Sequence, residues 1–565
     1  MGRSWWSYLS QRRTGLKRLI CDCIIFSPRA SFIFGMIFSR ALVEYAVINL
    51  LITYLTRQWA SPDLSKAAAV LNMQEGLSTT LVIVLAYISH ARGRFRMVAL
   101  TTPLYIIGLV LLWLRDQKLT ESREAWLFYV ALLLIALGTA GLDTPLYQYF
   151  VDEIKKSESK RGRDGELGNM SGKTKIDEEG DMQGKKYMDE EDDMPEEKDM
   201  QGKKNMDEED DMPEEKDVEA IVEVWWRMAR FSGATLSTFT LSKYSYSWAY
   251  AFKMSAITMA IAYVLFCFGF FLFQWLDKAA IAESGKQEES KREVAQVNKE
   301  KKVLVRMVPM WLTFLVYSLV EATGTTFFLE QATNLNYQIG NGYTVSENIF
   351  FLFKSFSSFI FAYLCDLLIE KFRDRRTHHH FTLVRIGLGM VSCILCCITA
   401  LQVEIRRLHL VKKAGLEHNT ETTISMSILG LTPQYCLLGV VEGLAGEGLQ
   451  TIFKSQVADE KPEYKSYGQA FTECVLGIGK FISICCVFSF KIWFGGNVNT
   501  SHLDRYYKML AFLCVGNLLV YICVSILYYW NKVPGGKEDE DSGGANSKEE
   551  KGCLDFVDAC TQAFS

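Results

Sequence analysis

The chain lacks the features that would mark a pump driven by ATP or a soluble enzyme. No G-x-x-x-x-G-K-[S/T] phosphate loop occurs in its 565 residues, which argues against ATP-driven pumping. No cleavable signal peptide is expected: the N-terminus is basic (Arg3, Arg12, Arg13, Lys17, Arg18), but the first apolar stretch is too long for a signal core. Net charge is nearly absent, at −4, and says little because the charge is segregated along the chain. Metal-ligand clusters are missing too. Cys393 and Cys396 have CxxC spacing, yet no second pair or histidine partner lies nearby. The His378 to His380 run reads as part of a solvated, basic loop. The 15 cysteines fall mostly in apolar runs, among them Cys267, Cys397, Cys485, Cys486, Cys514 and Cys523, and read as packing residues. We therefore expect no enzyme chemistry, no metal, no nucleic-acid partner and no cofactor, with a proton as the one candidate coupling ion.

What is present is apolar length. Hydrophobic residues make up 49% of the chain, and runs of about twenty recur along it, enough for a helix to cross a bilayer. Twelve such segments are expected, near 30–56, 66–90, 96–115, 125–152, 219–242, 248–275, 303–332, 346–370, 380–402, 424–455, 466–492 and 504–530. The fold class is an all-α membrane protein of two six-helix bundles. The basic N-terminus and the loops holding Arg92, Arg94 and Arg96, then Lys299, Lys301 and Lys302, then Arg373, Arg375 and Arg376, all fall on one side if there are twelve crossings. That side is expected to be cytoplasmic and to hold both termini. Asn499, in Asn499-Thr500-Ser501, is a glycosylation candidate on the opposite side.

The domain plan follows: 1–29 an N-terminal arm, 30–154 helices 1–4, 155–217 an insert, 218–275 helices 5–6, 276–302 a linker, 303–531 helices 7–12 and 532–565 a tail. The insert carries a tandem repeat, MQGKKYMDEEDDMPEEKD from Met182 and MQGKKNMDEEDDMPEEKD from Met200. So acidic and repetitive a segment cannot bury a core and is expected to be disordered.

The first segment also holds charge. Arg40 and Glu44 lie four residues apart, on one face of a helix. Charge at membrane depth is costly unless it is paired or faces water, so a polar interior is implied, as in a transporter. Several stretches resemble the plant nitrate transporter 1/peptide transporter family, within the proton-dependent oligopeptide transporter group. They are RALVEYAVINLLITYLT (from Arg40), AAAVLNMQEGLSTTLVIVLAYIS (from Ala67), ALGTAGLDTPLYQYFVDE (from Ala136), the stretch from Val308 to Gly340, and LTPQYCLLGVVEGLAGEGLQTIF (from Leu431). The resemblance implies a major facilitator fold with a central site that alternates between two openings.

The chain departs from that family at its working positions. The family's helix-1 motif E-x-x-E-R has only its arginine here, with Met36 and Ser39 in place of the glutamates. Asp143 stands where the family has a lysine, Thr451 where peptide carriers have a glutamate, and Glu321 where one branch has a nitrate-binding histidine. A stranded Arg40 would be strongly disfavoured, so Asp143 or Glu44 is expected to pair with it. The coupling and ion-pair candidates are Arg40, Glu44, Asp143, Glu321 and Lys354, the last two pairing between helices 7 and 8. The substrate-pocket candidates are Tyr45, Asn49, Asn72, Gln74, Trp311, Glu447, Thr451, Glu473 and Lys480, with Glu447 able to replace the missing glutamate. The expected function is secondary active or facilitative transport of a small solute, nitrate or another small anion or organic solute first. The alternatives are a proton-coupled peptide or hormone carrier using a displaced carboxylate, and a sensor or scaffold that does not transport. A monomer or weak dimer in the plasma or vacuolar membrane completes the expectation.

Overall fold

A computed structural model describes residues 28–58, 63–117, 125–180, 215–244, 247–280, 294–339, 343–370, 375–419, 422–457 and 468–529. The chain is almost wholly helical there. The first half comprises α1 (Pro28–Ala46), α2 (Leu51–Gln58), α3 (Leu64–Arg92), α4 (Arg94–Gln117), α5 (Ala125–Gly180), α6 (Glu215–Tyr244) and α7 (Trp248–Ala280). The second half comprises α8 (Val294–Thr325), α9 (Phe327–Glu330), α10 (Ile349–Glu370), α11 (Arg375–Ala414), α12 (Thr432–Val441), α13 (Glu447–Val457), α14 (Gly468–Ser489) and α15 (Leu503–Val524). A small antiparallel hairpin, β1 (Gln338–Ile339) and β2 (Tyr343–Thr344), pairs Gln338 with Thr344 and Ile339 with Tyr343. It marks one end of the bundle. The Gly93–Arg94 turn marks the other, here termed the basic end.

Eleven helical spans among the described residues are long and apolar enough to cross a membrane. The segment expected at 219–242 is also a helix, α6, but it falls short in apolarity. Its Glu223, Arg227 and Arg230 explain why: all three line an internal cavity, so polarity here belongs to the interior. The outward faces are apolar instead. Tyr87, Phe239, Phe268, Phe271, Phe512, Leu519 and Leu527 are all well exposed, the surface expected against lipid tails.

Several spans are broken. A 3-10 turn, Ile48–Leu50, separates α1 from α2, and an i→i+5 turn, Glu442–Gly446, separates α12 from α13. The amide of Glu447 there donates to the carbonyl of Glu442. Such wide turns insert a residue into a helix and occur often at functional sites.

Several boundaries differ from the sequence expectation. Helix α5 runs on to Gly180, so the start of the 155–217 insert is helical, since extending a formed helix needs no new nucleus. The tandem repeat lies almost wholly in 181–214, outside the described residues, as do most of the N-terminal arm, the C-terminal tail and the middle of the linker. His378 to His380 sit in the first turns of α11 rather than in a loop, and His379 is buried. The helix simply starts before the apolar run does.

The halves meet where α3 packs on α14 and α6 on α10. The first contact is tight. A Cβ on Gly477 would come within 2.5 Å of the Thr79 hydroxyl, so only glycine permits this approach. At the basic end, Gly93 closes α3 with φ +98°, a conformation open to glycine, and its N–H donates to the Ser89 carbonyl at 2.9 Å.

Candidate functional site: the cavity between the halves

A cavity of about 590 Å³ lies between the two halves. It is built by residues that sequence alone would place at membrane depth: an arginine on α1, acids on α3, α5, α8 and α14, lysines on α10 and α14. Each is there because its helix turns that face inward. The cavity reaches the basic end, where His90, Arg94, Lys155 and Lys454 line it.

Arg40 sits at the centre of the first-half wall. Its guanidinium lies 3.2 Å from Asp143 and 3.4 Å from Glu44, and donates to the Thr139 hydroxyl at 3.4 Å. It also stacks over the Tyr105 ring, 5.0 Å from the centroid. Asp143 and Glu44 therefore both compensate for the absent helix-1 glutamates. Met36, at one of those positions, is fully buried. Glu44 has a second partner, Arg230 of α6, at 3.1 Å.

The second-half wall holds two lysines. Lys354 of α10 contacts Glu442 at 3.2 Å and reaches Glu321 only at 4.0 Å. The expected Glu321–Lys354 pair is thus the weaker of that lysine's two contacts. Lys480 of α14 crosses the interface to Glu75 of α3 at 3.0 Å, and Thr325 donates to the same carboxylate at 3.4 Å. Glu473, two turns before Lys480, lines the cavity without a hydrogen bond or ion pair among the described residues.

In this deep part four cations, Arg40, Arg230, Lys354 and Lys480, face six carboxylates, Glu44, Glu75, Asp143, Glu321, Glu442 and Glu473. Each cation has a carboxylate within 3.4 Å. Tyr45, Asn49, Gln74, Tyr147, Gln148, Tyr317 and Thr325 also line the space, and the Tyr45 hydroxyl shares a 2.9 Å hydrogen bond with Ser355 of the other half.

Three expected pocket residues lie elsewhere. Asn72 is fully buried at the α3–α14 contact, its amide donating to Ser483 at 3.2 Å. Trp311 stacks on Phe471 at 5.9 Å, as packing between α8 and α14. Thr451 donates back to the Glu447 carbonyl at 2.9 Å, while its neighbour Gln450 takes the lining position. Gln331 and Gln434, polar residues at membrane depth in the second half, bond each other at 2.9 Å and do not line the cavity. Asn499, the glycosylation candidate, is enclosed in the fold. It is buried, its amide donates to the carbonyls of Leu416 and Asn419, and its oxygen accepts from Arg407 at 2.7 Å.

Both ends carry inter-half contacts. At the hairpin end, Glu347 accepts from Thr53 at 3.2 Å and Tyr337 at 2.5 Å and pairs with Arg57 at 3.1 Å, while Thr56 donates to Glu330 at 2.9 Å. Nearer the basic end, Arg227 of α6 bridges to Glu447 at 3.1 Å and Asp366 at 3.4 Å. Glu447 is thereby engaged by an arginine of the opposite half. Arg94 is tied to Asp152 and to the Gln148 carbonyl. Arg227 and Arg230 join the site in addition to the candidates expected above; the signal for them is an arginine inside a spanning segment.

Two helical bundles around a charged central cavity form the architecture expected from the sequence, that of the major facilitator fold. Comparison with known proteins makes this more specific. The family described as POT (PTR2) matches residues 270–489. Among curated relatives, NRT1/PTR family protein 5.10 of Arabidopsis thaliana is 27% identical, over 88% of this chain and 92% of the relative. NRT1/PTR family protein 5.7 of the same plant is 25% identical, over 92% of each. The fold resembles the crystal structure of an auto-inhibited POT family peptide transporter, with TM-score 0.59 at 12% identity, covering 91% of this chain and 99% of that one. It also resembles the POT family transporter PepTSo, with TM-score 0.55 at 14% identity, covering 89% and 99%. Over most of its length the chain is thus similar to membrane transporters of the POT/NRT1–PTR family.

Proposed function

We propose that the chain carries a small organic solute through this cavity by alternating access, without the helix-1 proton coupling typical of its relatives. The observation that carries the reading is the Arg40 cluster. Its two carboxylate partners, Asp143 and Glu44, are not the two that the family motif supplies. A guanidinium held from both sides is a fixed ion pair, and coupling falls to a carboxylate elsewhere. Glu321 is that candidate, because one of its oxygens is buried with no hydrogen-bond partner.

The contacts at the hairpin end, with a cavity reaching the basic end, support a carrier closed on one side. A membrane orientation with the basic end in the cytoplasm, in the plasma or vacuolar membrane, completes the proposal. The organic-solute branch is favoured over nitrate, because each deep cation already has a carboxylate within 3.4 Å. Uptake into proteoliposomes, with and without an imposed pH gradient, tests this. Gradient-insensitive uptake is expected if transport is facilitative. Gradient-driven uptake that Glu321→Gln abolishes would assign the coupling to that residue. The absence of uptake for every family substrate would instead support a sensor.

A further inference from the structure

Charge in the deep cavity is uneven: four cations face six carboxylates, and two of the acids lack a close cation. Glu321 has Lys354 only at 4.0 Å, and its second oxygen is buried without a partner. Glu473 has no hydrogen bond or ion pair among the described residues. The two acids flank one packing contact. The Ser318 hydroxyl of α8 donates to the Leu476 carbonyl of α14 at 2.5 Å, with Glu321 one turn beyond that serine and Glu473 one turn before that leucine. On parallel helices this places them roughly 9 Å apart along the axes. From α3, Gln74 lines the same space. It is 4% exposed, and its side-chain oxygen Oε1 is buried with no hydrogen-bond partner among the described residues.

Half-buried carboxylates are costly without positive charge, and a buried amide oxygen is costly without a donor. We propose that the cavity selects a solute bearing a protonated amine, held by Glu321 and Glu473 with Gln74 as an adaptable polar contact. This rests on the carrier reading and names its substrate class. An anion meets the opposite situation: it must displace a carboxylate from a cation to gain a contact.

The test uses the purified full-length protein in detergent, with putrescine, ethanolamine and nitrate as probes. A ligand that binds the folded state raises its melting temperature. The amines are expected to raise Tm by several degrees, and nitrate to leave it unchanged. Glu473→Gln and Glu321→Gln are each expected to weaken amine affinity about ten-fold, with Glu473→Asp keeping part of it. The wild-type comparison stands even if a variant fails to fold. Three results overturn the proposal: a nitrate shift without an amine shift, an amine shift unchanged in both glutamine variants, or no amine shift at all, protons then filling the deficit. Parallel uptake separates this from the carrier reading. Amine stabilisation without uptake rejects the carrier and keeps the site, whereas nitrate uptake without amine binding does the reverse.

Discussion

Lys480 and Glu75 meet at 3.0 Å across the interface between the halves, one from α14 and one from α3. Both side chains are nearly buried, so each charge depends on the other. Removing one partner of such a pair costs about 3–5 kcal/mol, more than the pair itself contributes. Lys480→Met and Glu75→Gln should each lower the melting temperature. The double variant should lose less than the sum of the two. Thermal unfolding of the three proteins measures this coupling.

The Arg40 cluster can be inverted. Asp143→Lys, which restores the residue common in the family, puts a second cation beside Arg40. Uptake should fall about ten-fold or more, since like charges at this separation repel and the arginine loses a partner. Adding Met36→Glu and Ser39→Glu rebuilds the family pattern. The triple variant should recover uptake and acquire dependence on a pH gradient. Transport assays on the single and triple variants decide the matter.

At the hairpin end Glu347 collects Thr53, Arg57 and Tyr337. Tyr337→Phe removes a hydrogen bond to a charged group and should cost about 1.5 kcal/mol. Glu347→Gln should loosen this closure, seen as faster labelling of an Ile48→Cys variant by a membrane-impermeant thiol reagent. Burial first, then the Glu347 carboxylate, holds the Tyr337 phenol well above the ordinary tyrosine range. Its stabilising contribution is therefore complete below about pH 10 and declines as pH rises toward the raised value.

Asn499→Gln should leave electrophoretic mobility and glycosidase sensitivity unchanged, since the folded amide is enclosed. Asn499→Ala should nonetheless destabilise the protein. Arg407 is fully buried, and it would keep Glu404 at 2.7 Å but lose the oxygen that Asn499 supplies at the same distance. Mobility and melting temperature, measured together, distinguish a glycan from a buried hydrogen bond.

The spans were legible because apolar length and charge intervals are local properties of a sequence. Arg40 and Glu44 share a helix face by spacing alone, and the resemblance directed attention to Asp143. Facing at other positions was not local. Asn72 and Trp311 sit on the α3–α14 and α8–α14 contacts, which neighbouring helices define. Asn499 is covered by chain from around Leu416 to Asn419, far away in sequence. Arg227 and Arg230 lie on α6, whose polar face turns to the cavity and lowers the apolarity of the segment.

Thr451 turns off the cavity for another reason, the wide turn at Glu442–Gly446. On a regular helix, residues five apart point about 140° away from each other. Glu442 and Glu447 nevertheless both line the cavity. The extra residue acts as a phase shifter, rotating everything after it back toward the solute path. Deleting one residue within Gly443 to Gly446 would turn α13 by roughly 100°, taking Glu447 off Arg227 and Gln450 off the cavity wall while leaving the composition of the span almost unchanged.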